Sequence, residues 1–150
     1  MTLLRNALQT ALHDVVLACG EAADGHEAAA EILAGHPLAE VLRQLADERR
    51  ELAGRLGERL RELDDLPPEP DADLETVREL ATWVKAALTG DQRHTVLHER
   101  KAAEAHLEAT AEEALAQPDL SPDTRALLEQ IRADAHAAQQ RLAALAADAE

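Results

Sequence analysis

A chain of 150 residues, 46% of them apolar, with a formal net charge of -15 has the length and apolar content for one domain around a buried core. The acidic balance excludes a nucleic-acid surface, which needs concentrated Lys and Arg, and no apolar run approaches the roughly 20 residues that span a bilayer. With no Phe or Tyr, a single Trp and roughly a fifth of the chain as Ala, closely packed helices are expected and strands are not.

The N-terminal stretch reads Arg5-Asn6 where a secretory leader would carry an apolar run, and Cys19 has no second cysteine to pair with. Both point to a reducing, cytoplasmic setting. The first helix is expected from Thr2 to Leu33, because Leu4, Leu8, Ala11, Val15, Ala18, Ala22, Ala29 and Ile32 recur mostly three and four apart. Gly35 and Pro37 break it and begin a short connection to an antiparallel neighbour. The second helix carries Leu38, Leu42, Leu45, Leu52, Leu56 and Leu63 on one side, until Pro67, Pro68 and Pro70 end it.

Asp73 can cap a shorter helix from Leu74 to Thr89, with Val77, Leu80, Val84 and Leu88 inward and Trp83 as a core anchor. Gly90 stops that helix and Asp91 caps the next, which runs from Gln92 to Gln117 and ends at Pro118. Ser121-Pro122-Asp123 reads as a cap, a proline in the first helical position and an acidic first turn. The last helix presents Leu128, Ile131, Ala135, Ala138, Leu142 and Leu145 at heptad-like spacing. Four long helices, each about 40 Å at about 1.5 Å per residue, form one domain over residues 1–150. The long connection between the second and third of them, about residues 65–90, can return along the bundle with its additional short helix. The expected fold is all-α, a ferritin-like four-helix bundle with that long crossover.

Several stretches carry a family resemblance: Gly25-His26-Glu27-Ala28-Ala29-Ala30-Glu31, Leu45-Ala46-Asp47-Glu48-Arg49 and, most distinctively, Lys85-Ala86-Ala87-Leu88-Thr89-Gly90. Val96-Leu97-His98-Glu99, Ala103-Glu104 and the stretch from Leu120 to Glu129 extend it. From about Gly20 onward the chain resembles the bacterial ferritin-like proteins of unknown function that are associated with stress responses. His26 stands where that family usually has an aromatic residue, Trp83 lies closer to Lys85 than the family's tryptophan does, and Gln139 replaces an expected histidine. The resemblance implies the bundle fold and a bacterial origin, and no established reaction.

A ferritin-like di-iron centre takes one Glu from each of two helices and a Glu-x-x-His from each of the other two, since residues three apart project from one helical face. Here Glu48 is followed at that spacing by Glu51, and Glu129 by Arg132, whose charge opposes a cation. Ferroxidase or oxygenase chemistry is therefore not expected. Polar residues nevertheless interrupt the inward stripes near mid-bundle: His26, Glu48, Arg49, Glu104 and Asp134. Glu104 with Glu48 or His26 can hold a weakly bound divalent metal, with Asp134 and His136 as further candidate ligands. The reading we favour is an ion-pair layer around Arg49, with Glu48 and Glu104, that fixes helix register. His94 and His98, one helical turn apart, lack a third ligand and read as a solvated face.

No catalytic or cofactor-binding residue is assigned, and Cys19, among small apolar neighbours, is expected to be buried and inert. Long Ala-rich helices make a thin core, so association with further copies of the chain is expected, with neither nucleic acid nor membrane as partner. The functional expectation is a non-catalytic ferritin-like bundle, a stress-associated or protein-interaction module. The alternative is a metal-binding or redox ferritin-like protein with an altered carboxylate/histidine site.

Overall fold

The computed structural model describes residues 6–63 and 93–148. Among them are four α-helices and no strand: α1 (Ala7–Ile32), α2 (Pro37–Glu62), α3 (Arg93–Leu115) and α4 (Pro122–Asp148). The expected helix from Leu74 to Thr89, with Trp83, lies outside the described residues, as does Leu4.

Local chemistry sets the helix ends. Asn6 opens α1 with a reciprocal capping box: its side chain accepts from the Gln9 amide at 2.7 Å while the Asn6 amide donates to the Gln9 side chain at 3.0 Å. Gly35 reverses the chain after α1 at a φ of 89°, a left-handed conformation that glycine adopts without a Cβ clash. His36 then caps α2 by accepting from the Leu38 amide through Nδ1 at 3.1 Å, with Pro37 in the first turn. At α4 the Ser121 hydroxyl accepts from the Thr124 amide at 3.2 Å, the cap that Ser-Pro-Asp leads one to expect.

α1 packs along α2 and α3 along α4, and α1 also lies against α3. Directions follow from which residues share a core cluster. At one end, Leu12 and Val15 of α1 meet Leu56 and Leu60 of α2, Leu107 and Ala111 of α3, and Leu128 and Ile131 of α4. At the other end, Ala30 and Leu33 meet Leu38 and Leu42, Val96 and Leu97, and Ala138 and Leu142. The beginnings of α1 and α4 therefore lie beside the finishes of α2 and α3. So α1 is antiparallel to α2 and α3, and α2 runs parallel to α3. α2 finishes at the end opposite to the one where α3 begins. A hydrogen bond of 2.7 Å from the Gln9 side chain to the Leu63 carbonyl ties the start of α1 to the finish of α2.

Each fully buried leucine contributes on the order of 1.5–3 kcal/mol through apolar burial, and the buried alanines contribute less while letting backbones approach closely. α1 shows this best, with Ala18, Ala22, Ala23, Ala28, Ala29 and Ala30 all buried between its neighbours. Leu63 departs from the expected inward stripe. It caps α2, where the helix has already ended, and is 38% exposed. No helix among the described residues is long and apolar enough to cross a membrane.

Candidate functional site

Between the two apolar clusters lies a polar layer, and the stripe pattern explains its position. On α2, Leu42, Leu45, Arg49, Leu52 and Leu56 follow one another three or four residues apart, so Arg49 inherits an inward direction. On α3 the same spacing runs through Leu97, Arg100, Glu104, Leu107 and Ala111. On α1, His26 stands one heptad after Cys19. The helix directions bring these interruptions to the same depth. His26 and Glu104 have no exposed surface and Arg49 is 1% exposed.

Glu104 is the centre of the layer. Arg49 Nε donates to both carboxylate oxygens, at 2.9 and 3.0 Å, and Arg49 Nη2 donates to Oε1 at 2.6 Å. His26 Nε2 lies 2.9 Å from Oε2, on the opposite flank. Arg49 Nη2 also reaches the backbone carbonyl of Asp134 at 3.3 Å, which brings α4 into the layer. Both oxygens of Glu104 are thus engaged, and its charge is matched by the Arg49 guanidinium.

Burial alone would push the Glu104 carboxyl up; the hydrogen bonds from His26 and Arg49 and the arginine's charge outweigh it and hold the group below the usual range. Burial likewise disfavours the Arg49 cation, yet the bonds and charge of Glu104 raise its affinity for the proton. For His26, burial dominates and lowers the pKa despite Glu104. A second reason lies in the geometry: Nδ1 of His26 has no acceptor among the described residues, so a proton placed there would stay unsatisfied. The imidazole is therefore neutral, with its Nε2–H donated to Glu104.

The other sequence candidates fall elsewhere. Glu48 is exposed, one position away from the inward stripe on α2, and is not part of the layer. Asp134 contributes its backbone carbonyl, and its half-buried carboxylate is not a partner of Arg49. His136 is exposed on α4 and pairs with Glu108 at 3.0 Å, away from Glu104, because it sits off the buried Ala135–Ala138 stripe. Gln139 donates to the same Glu108 at 2.8 Å. His94 and His98 are both exposed on α3. The five candidate ligands are not gathered in one place, and no group of three or more His, Cys, Asp or Glu side chains fit to hold a metal occurs among the described residues.

Cys19 is fully buried beside the layer, and burial pushes its thiol up to about 12, with the charge of Arg49 opposing only in part. A thiol reagent at pH 8 is therefore expected to label native protein at least a thousandfold more slowly, on the order set by thiolate fraction, than protein unfolded in urea. Equal labelling rates in the two states would contradict this burial.

Sequence reasoning missed Arg100. It is 8% exposed, and its Nη1 has no hydrogen-bond partner among the described residues. The signal was present, since Arg100 lies one helical turn before Glu104 on the same stripe. It also missed why Gly25 precedes His26. A Cβ there would lie 1.8 Å from Arg100 Nη1, so the guanidinium rests where only glycine leaves room.

The family model for "Domain of unknown function (DUF2383)" matches residues 7–117, which hold α1, α2, α3 and the side chains of His26, Arg49 and Glu104. No curated protein and no solved structure matches the chain.

Proposed function

The chain belongs to the DUF2383 family, a domain of unknown function, and from that premise we propose that it is a non-catalytic, ferritin-like bundle of bacterial origin that serves as a stress-associated or protein-interaction module. The observation that carries this reading is the closure of the interior carboxylate. In a carboxylate-bridged metal centre the inward Glu side chains keep lone pairs free for the ion. Here Arg49 and His26 occupy both oxygens of Glu104 with no solvent access. A metal would have to displace a buried guanidinium and leave that charge stranded. The same burial denies a substrate any approach to His26 or Glu104.

The parallel run of α2 and α3, each antiparallel to α1, supports the ferritin-like part of the proposal. Self-association belongs to the same reading: the core rests heavily on alanine, and Leu17 stands 39% exposed on the outer side of α1. Such a protein acts through its surface, with the polar layer keeping the helices in register.

Elemental analysis of protein purified without chelator, combined with an aerobic iron(II) oxidation assay, tests the proposal. Less than one tightly bound metal ion for every ten chains is expected, on the order of trace occupancy, with oxidation no faster than in buffer. Stoichiometric metal or rapid oxidation would replace this reading with a metal-binding or redox one.

A further inference from the structure

Beside the layer, between α1 and α3, Arg100 poses a separate electrostatic problem. Its guanidinium is more than nine-tenths buried, yet its nearest carboxylate contact is Glu99, 3.8 Å from Nη2 and beyond hydrogen-bond reach. Nη1 has no acceptor among the described residues. Glu104, which shares its face of α3, is already engaged by Arg49 and His26. Desolvation of this cation is thus poorly compensated by the protein, and burial lowers its proton affinity for that reason.

Next to the guanidinium is a cavity of about 10 Å³, lined by Gly25, Ala28, Ala29, Ile32, Val96, Glu99 and Arg100. That volume admits roughly one water-sized particle. Its walls are mostly apolar, and at Gly25 the missing Cβ is what lets the guanidinium reach it.

We propose that Arg100 and Gly25 form a binding site for a single monatomic anion, chloride under ordinary conditions, between α1 and α3. A buried cation with an N–H that has no partner among the described residues, facing a small pocket partly open to solvent, suits a small anion. The chain's charge of -15 adds a repulsion that grows with ligand charge and so favours a monovalent ion. Glu99 stands at the same cavity as a competing anion and sets the affinity: swung inward it would satisfy Arg100 itself.

The test uses the full chain in sodium chloride and sodium gluconate mixtures at fixed ionic strength, followed by urea unfolding, and crystals grown in sodium bromide. At chloride ten times its Kd, the folded-to-unfolded ratio should rise about elevenfold over the gluconate reference. Glu99→Gln should reach the same rise at lower chloride. Arg100→Met removes the cation, and Gly25→Ala keeps it but places a methyl group on its seat; both should lose the chloride response while remaining folded. Bromide should give an anomalous peak at hydrogen-bonding distance from Arg100 Nη1. A chloride response equal in the wild type, Arg100→Met and Gly25→Ala would overturn the proposal, as would a wild-type crystal with Glu99 or water, and no bromide, against Nη1.

Discussion

Arg49→Ala is expected to destabilise the bundle by about 3–5 kcal/mol, the range for removing one member of a buried ion pair. The cost does not come from lost attraction alone. Glu104 has no exposed surface, so without the guanidinium its carboxylate stays buried with only His26 as a donor. Arg49→Leu shares that defect, because Glu104 remains. Glu104→Ala should cost a similar amount for the complementary reason, leaving Arg49 buried beside the Asp134 carbonyl. Replacing the layer as a unit, with His26→Leu, Arg49→Met and Glu104→Leu together, strands no charge and joins the two apolar clusters. The triple variant should therefore be more stable than either single variant. Urea unfolding followed by circular dichroism gives the comparison directly. Additive losses across the three positions would mean that the residues do not act as one network.

Acidification is expected to destabilise the protein in two stages, both traceable to the layer. His26 binds its proton less readily when folded than when unfolded, so the unfolded state gains protons first as pH falls. Stability from this source is full above about 6.5, the ordinary histidine value, and declines below it by at most about 1.4 kcal/mol per pH unit. Glu104 acts in the same direction lower on the scale. Its folded pKa is depressed, so its contribution is present above about 4.3, the ordinary Glu value, and is lost as pH falls through the folded value. Once Glu104 is neutral, Arg49 is a buried cation without a counter-charge. Unfolding curves between pH 7 and 5 should show a shallower slope for His26→Gln than for the wild type, since the variant removes the first stage alone. Identical slopes would show that His26 takes up its proton equally well in both states.

Much of the architecture was legible because helices announce themselves by spacing. The three-and-four rhythm of Leu38, Leu42, Leu45, Leu52 and Leu56 specifies both a helix and its buried face, and Gly35, Pro118 and Ser121-Pro122 mark the breaks without tertiary information. Arg49 and Glu104 were visible as charged residues on apolar stripes, a placement that needs a partner. Which partner each finds was not legible. Glu48 lies next to Arg49 in the chain but about 100° away around the helix, so proximity in sequence misled where angular position decided. His136 and Asp134 illustrate the same limit, because a shift of one residue on a helix converts an inward ligand into a surface side chain. Arg100 escaped for a different reason. Its burial depends on a glycine of another helix, Gly25, and no pattern within α3 encodes that gap.

Glu104, closed by Arg49 and His26, is the centre of the proposed role. The most direct measurement is a crystal structure of protein crystallised with iron(II) under anaerobic conditions, with anomalous data collected at the iron edge. The expected result is an intact Arg49–Glu104 pair, His26 still bonded to the Glu104 carboxylate and no anomalous peak at coordination distance from it. Two iron ions within about 4 Å of each other among the four helices, with Arg49 turned away, would contradict it.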